Sequence, residues 1–213
     1  MTTVLVLAPH ADDGELGCGA TVSKFVDEGK EIYTATFSIA RASVKKGFPE
    51  NVLDKELREA SKVLNIPEDH VTVFDYPVRN FPEHRQTILD DLLHLRDKIN
   101  PDIVFMPTST DVHQDHQVIA HEGLRAFKRK TILAYDTPWN DITFESRTFV
   151  PVTKKHVERK VASLRCYVSQ RHRDHLDESF TWSLAKVRGT QIGVEYAESF
   201  EVIRWVINDE TAP

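Results

Sequence analysis

The sequence predicts an α/β fold, a single domain over residues 1–213 with a mostly parallel β-sheet flanked by helices. Three observations carry this expectation. Short apolar, β-branched runs alternate with amphipathic runs of helical period over the first 130 residues, the pattern of successive βαβ units. Residues 3–8 and 103–106 are almost wholly apolar, as strands covered on both faces must be. The chain is long enough to bury one sizeable α/β core, and it contains no internal repeat or low-complexity segment.

The elements follow in order. Residues 3–8 read as a buried strand and 21–28 as a helix that Gly29 ends. Residues 31–38 alternate and are rich in β-branched and aromatic side chains, a second strand. Residues 39–51 are polar and basic and include Gly47 and Pro49. They read as a loop beside the end of the first strand and a candidate lid. Over 52–64, Val52, Leu53, Leu57, Ala60, Val63 and Leu64 share one helical face. A strand over 71–76, a helix over 84–99 and a strand over 102–106 come next. A helix over 117–128 and a strand over 132–137 follow. Residues 138–148 hold Trp139, Asn140, Asp141 and Arg147, and could wall a pocket. Helices are expected over 157–167 and 180–188. The chain then returns through Tyr196 to a final strand over 200–207.

Composition narrows the function classes. A net charge of −6 argues against a general nucleic-acid binder. Two cysteines, Cys18 and Cys166, make neither a disulfide framework nor a cysteine-based zinc cluster, so a reducing, cytoplasmic setting is expected. No signal peptide is expected, and no run approaches the ~18 apolar residues of a membrane span. The stretch 154–173 is basic through Lys154, Lys155, Arg159, Lys160, Arg165, Arg171 and Arg173, ordinarily a solvated helix face.

Two motifs carry chemistry. The first strand runs into Ala8-Pro9-His10-Ala11-Asp12-Asp13-Gly14-Glu15-Leu16-Gly17-Cys18-Gly19-Ala20-Thr21. The strand over 102–106 runs into Pro107-Thr108-Ser109-Thr110-Asp111-Val112-His113-Gln114-Asp115-His116. Both lie at carboxyl ends of strands, the edge where open α/β sheets bind ligands. Either alone could be a helix cap and a loop histidine, but together they are hard to explain that way. His10, Asp13 and His116 make two imidazoles and a carboxylate, the ligand set of a catalytic zinc site and also of ferrous facial triads. Asp12 is then the spare carboxylate for a base. His113 is the spare imidazole for an acid or oxyanion partner, and Asp115 could orient it. The glycines at 14, 17 and 19 do not match G-x-G-x-x-G, which disfavours a nicotinamide dehydrogenase.

On these residues the chain resembles the PIG-L/LmbE family of metal-dependent N-deacetylases. The family's first motif, His-Pro-Asp-Asp-Glu followed by Glu-Leu-Gly-x-Gly-Gly-Thr, is matched from His10 to Thr21. Its second, His-x-Asp-His, is matched by His113-Gln114-Asp115-His116. The segments Tyr167-Val168-Ser169-Gln170, Arg188-Gly189 and Tyr196-Ala197-Glu198 are similar to those of members as well. Ala11 replaces the usual Pro and Gly14 the usual Glu. The Arg-Gly-Glu-type segment after the second strand is replaced by Ser38-Ile39-Ala40-Arg41-Ala42-Ser43.

The resemblance implies a Rossmann-like fold, a Zn2+ (or Fe2+ or another divalent metal) on His10, Asp13 and His116, Asp12 as general base, and His113 on the oxyanion. It implies removal of an acetyl group from an N-acetylglucosamine-type sugar, lipid-linked, nucleotide-linked or otherwise conjugated, with release of acetate and amine. It is also compatible with a homo-oligomer. The bound oxyanion would call for a protonated His113. Arg171, Arg173 and Arg188 are candidates for a substrate phosphate, and Arg41 with the 39–50 loop is a substrate-binding candidate that would cover the pocket. The alternatives are a different small acyl group, such as formyl, and a non-catalytic sugar- or nucleotide-binding module.

Overall fold

The alternation of apolar and amphipathic runs resolves into one seven-stranded sheet with helices on both faces in the computed structural model, which describes residues 1–207. The strands are β1 (Thr3–His10), β2 (Glu31–Ser38), β3 (Val71–Val73), β4 (Ile103–Pro107), β5 (Thr131–Tyr135), β6 (Thr148–Val152) and β7 (Tyr196–Arg204). The helices are α1 (Asp13–Asp27), α2 (Val52–Val63), α3 (Arg85–Ile99), α4 (Gln114–Ala126), α5 (Lys154–Leu164) and α6 (Glu178–Gln191).

The sheet order is β3-β2-β1-β4-β5-β7-β6. The first five strands are parallel, and β7 runs antiparallel to both β5 and β6. Side chains alternate across the strands, so one register feeds two cores. Leu5, Leu7, Val104 and Met106 pack with Ile88, Leu92, Ile119 and Phe127 of the α3–α4 layer. Val4, Val6 and Phe105 pack with Val22, Leu64, Tyr135 and Phe200 on the opposite face.

This order places the site. The chain winds outward from β1 through β2 to β3, then returns to β4 on the other side of β1. The strand order therefore reverses between β1 and β4, and a crevice opens outside their carboxyl ends. Both sequence motifs begin there, at His10 and after Pro107.

Several elements differ from expectation. Helix α1 begins at Asp13 rather than near residue 21, and Cys18 interrupts it with φ −144° and ψ 18°. Glycines at 14, 17 and 19 depress helix propensity, but here they serve close packing. A Cβ at Gly17 would lie 2.4 Å from the ring carbons of Tyr135. Gly17→Ala is therefore expected to destabilise the fold by about 1–3 kcal/mol through overpacking. Thermal unfolding reads this directly, and an unchanged midpoint would show that the Tyr135 ring yields freely.

Helix α5 starts at Lys154 because Thr153 and His156 form a reciprocal cap. Residues 148–152 form an edge strand, and 196–204 form one strand rather than a return followed by another. The basic stretch is only partly a solvated face. Lys160 is buried, its Nζ 2.7 Å from Glu198 Oε1 and 2.6 Å from the Leu16 carbonyl. No helix among the described residues is long and apolar enough to cross a membrane.

Candidate metal centre and active site

The site is assembled from two helix N-termini. Asp13 opens α1 and Asp115 lies in the first turn of α4, where carboxylates are favoured by the helix dipole. Asp13 Oδ2 accepts the backbone N–H of His10 at 2.8 Å, which pins the carboxylate over the end of β1. The same oxygen is 3.1 Å from His10 Nδ1 and 3.2 Å from His116 Nε2, and those two nitrogens are 3.3 Å apart. The three atoms form a nearly equilateral triangle. Ligands about 2.0–2.1 Å from a tetrahedral zinc sit about 3.3–3.4 Å from one another, so the donor spacing fits such a cation.

The other nitrogen of each ring is held by a carboxylate. His10 Nε2 is 3.0 Å from Asp115 Oδ2, and His116 Nδ1 is 2.7 Å from Asp111 Oδ2. Such outer carboxylates fix the tautomer and orientation of a metal-binding imidazole. They are themselves held. Asp115 accepts the N–H groups of Arg79 (2.6 Å) and Phe81 (3.2 Å). Asp111 accepts from Thr137 Oγ1 (2.7 Å) and the His113 N–H (2.7 Å). His10, His113 and His116 can also bring one nitrogen each within 4.8 Å. The Asp13-containing set is tighter, and His113 Nδ1 is already engaged by the Asp115 N–H at 3.2 Å.

The charges are consistent with a bound cation. Burial opposes charge on His116, but Asp13 and Asp111 outweigh it and lift the imidazole to about 10. Burial likewise opposes charge on His10, and its bonds to Asp115 and Asp13 raise it. Burial would raise Asp13, yet the two imidazoles hold it well below the usual carboxylate range. Without a metal these carboxylates stabilise protons on the rings, and a divalent cation satisfies the same demand. Asp12 differs. Burial first and the Asp13 charge second raise its carboxyl above the usual range, and its Oδ2 is buried with no partner among the described residues.

His113 is displaced in the other direction. Burial and then the neighbouring His10 and His116 lower it to about 4, so it is neutral near pH 7. Because Nδ1 accepts a backbone N–H, Nε2 carries the proton. The oxyanion donor expected from the sequence is therefore a neutral imidazole rather than a protonated one. Asp115 also departs from expectation: its carboxylate orients His10, and His113 meets only its backbone N–H. The short turn that starts α4 at residue 114 swings the Asp115 side chain toward β1.

His10, Asp12, Asp13, His113 and His116 line one open cleft, with Asp111 and Asp115 behind the two imidazoles they hold. Trp139 and Asn140 wall it, as does Ala40 from the loop read as a lid. The Trp139 ring stacks on His175 at 4.3 Å. Of the four arginine candidates, Arg173 lines the cleft. Arg41 turns outward to Asp75 at 2.8 Å, Arg188 pairs with Asp136 beside a separate small cavity, and Arg171 borders a different groove. Sequence reasoning missed Asp111, Arg79, Gln170 and His175. Asp111 had a visible signal, an acid two residues before the second motif. Gln170 stood in a segment already similar to the family's, and its place at the cleft, like those of Arg79 and His175, depends on loops that only the folded chain brings there. Arg79 adopts a left-handed backbone (φ 68°), imposed as its N–H reaches Asp115.

Comparison with known proteins gives these features a family. The chain is 26% identical over 179 residues to an Escherichia coli K12 protein named uncharacterized deacetylase YaiS, covering 78% of this chain and 90% of that one. It is 24% identical over 225 residues to the diacetylchitobiose deacetylase of Thermococcus kodakarensis, covering 94% and 82%. The crystal structure of the conserved protein TT1542 from Thermus thermophilus superposes with a TM-score of 0.80 at 26% identity over the whole of both chains. The family model described as PIG-L, GlcNAc-PI de-N-acetylase, matches residues 5–127, a span that contains both motifs. The chain thus belongs to the PIG-L family, a family of deacetylases.

Proposed function

We propose that this chain is a divalent-metal-dependent hydrolase that removes the acetyl group from an N-acetylated amino sugar or sugar conjugate. The observation that carries the proposal is the triangle of His10 Nδ1, Asp13 Oδ2 and His116 Nε2, with a carboxylate behind each imidazole. In this proposal those three side chains hold the metal, with zinc as the first candidate. When bound, the cation acts as a Lewis acid toward the acyl oxygen and makes water a better nucleophile at neutral pH.

The protein's own groups do the rest. Asp12 takes a proton from the attacking water, a role suited to a buried carboxylate with an unoccupied oxygen. His113 Nε2–H donates to the acyl oxygen as negative charge gathers there. The C–N bond then breaks as Asp12 returns its proton to the leaving nitrogen, and the free amine departs with acetic acid, which releases its remaining proton to solvent as acetate. Asp115 and Asp111 act through His10 and His116 as positioning residues.

Amine release tests the proposal directly. N-acetylglucosamine, its glycosides and lipid conjugates, and nucleotide-linked N-acetyl sugars are offered to metal-free protein and to protein restored with zinc or ferrous iron. Release is expected from at least one substrate, lost on chelation and recovered on adding metal. Stoichiometric metal without release from any acetylated sugar would move the reading to another acyl group, such as formyl.

Arg173 supports a finer proposal, an anionic group on the substrate. Neither Arg173 nor Arg79 is among the ion pairs of the described residues, and both border the cleft. Arg173→Gln is expected to raise KM for a phosphorylated N-acetyl sugar about 10-fold, the scale of a lost charge-assisted hydrogen bond. The unphosphorylated sugar should be affected less. Equal changes for both would remove the anion from the proposal.

A further inference from the structure

The segment Tyr167-Val168-Ser169-Gln170 has no part in the chemistry above, yet it is held unusually firmly against the cleft. Tyr167 is fully buried, and its hydroxyl donates to the carbonyl of Ala11, inside the first motif. Glu56 lies on the buried face of α2, beside Leu53 and Leu57. A carboxylate there is costly to desolvate and is kept only when it is well paired. Both of its oxygens are taken by one residue: Oε1 accepts the Ser169 N–H at 2.8 Å, and Oε2 accepts the Ser169 hydroxyl at 2.6 Å. An apolar residue on α2 would fill this space; what the carboxylate adds is a fixed position for Ser169.

That position determines Gln170. Its backbone N–H donates to the Tyr167 carbonyl at 3.0 Å, and its own carbonyl accepts from the Arg173 N–H at 2.9 Å. Its side chain is 2% exposed and borders the same cleft as His10, Asp12 and Asp13. The amide Nε2 donates to Ser169 Oγ at 3.1 Å. A side-chain amide has two donors and an oxygen with two lone pairs, so this single bond leaves most of its capacity free.

Resting on the deacetylase reading, we propose that Gln170 is a substrate-binding residue whose amide hydrogen-bonds a sugar hydroxyl. Glu56 and Ser169 are positioning residues that aim it. The chain reaches across from α2, far from both motifs in sequence, to hold one neutral polar group in the cleft. A neutral amide suits a polyhydroxylated ligand, since it can both donate to and accept from a hydroxyl.

The test measures binding as well as turnover, using metal-loaded full-length protein with glucosamine and N-acetylglucosamine as probes. Gln170→Met keeps the side-chain length and removes the amide. It is expected to weaken the calorimetric Kd for both sugars about 10-fold, the upper scale of one neutral hydrogen bond. KM should rise in parallel, with kcat, metal content and Tm nearly unchanged. Glu56→Gln keeps the shape of the clamp and weakens it, so binding should fall about 3-fold. Ser169→Ala should do the same should Glu56→Gln fold poorly. Adding Glu56→Gln to Gln170→Met should produce no further loss, because both act through one contact. Unchanged binding in Gln170→Met, or fully additive effects in the double variant, would overturn the inference and leave deacetylation standing. Wild-type protein that binds both sugars but releases no amine would remove deacetylation and leave the inference. Wild-type protein that binds neither sugar would overturn the inference.

Discussion

Asp12→Asn is expected to lower amine release by about 10²–10⁴-fold while metal content stays at the wild-type level. The change is isosteric. Asp12 stands outside the triangle formed by His10, Asp13 and His116, so the metal set should survive it. What is lost is the ability to take a proton. Asp12 is 6% exposed and its Oδ2 has no partner among the described residues, so no other group replaces it at that point. Burial and the Asp13 charge raise its pKa, which makes the ionised carboxylate a better base. The measurement pairs a kcat assay with metal analysis of the same preparation. An Asn variant that turns over normally with full metal would show that the base is another residue. A variant that loses metal would move Asp12 into the ligand set.

His116→Ala is expected to abolish metal retention, and activity with it. The substitution removes one of three donors and leaves Asp111, which is fully buried, without its imidazole partner. Outer-shell changes alone typically cost about 10–100-fold in affinity, so Asp111→Asn should weaken binding on that scale and His116→Ala more severely. Thermal unfolding supplies a readout independent of activity. Metal at about 100 times its Kd should stabilise the wild-type protein by about 2.7 kcal/mol and raise its Tm. The same metal should leave the Tm of His116→Ala in place. Full metal content in His116→Ala would exclude this triangle as the site.

Much of this was legible in the primary structure because it is local. Strands β1, β4 and β5 announce themselves by apolar runs and β2 by alternation, and each motif follows its strand within a few residues. Ligand type is a matter of residue identity, so two histidines and an aspartate could be named before their distances were known. Elements were misplaced where tertiary contact overrides local preference. The glycines of α1 weaken a helix in isolation, yet they admit Tyr135 and Lys160 to its surface. Lys160 belongs by composition to a solvated face, and it is buried because Glu198, thirty-eight residues away, meets it there.

The arginines show the same limit within one segment. Arg171 and Arg173 are indistinguishable by type and separated by one residue, yet only Arg173 lines the cleft. Both border the groove beside Leu164 and Tyr167, and Arg173, farther past the short turn over Val168–Gln170, reaches the cleft as well. The partner of Asp115 was equally out of reach. Adjacency suggested His113, but the carboxylate crosses to His10, 105 residues away, because parallel pairing sets β1 beside β4.

The sequence by itself thus determined the α/β layering, the sheet edge at which both motifs stand, and the residue types gathered there from which the proposed metal ligands and base are drawn. Periodicity and residue type are enough for those. The tertiary structure alone decided which donors meet within 3.3 Å, which carboxylate stands behind which imidazole, that His113 is neutral, and which arginine reaches the cleft. Each of these depends on the distance, direction or burial of groups far apart in the chain, which exist only once strand order and helix packing have brought them together.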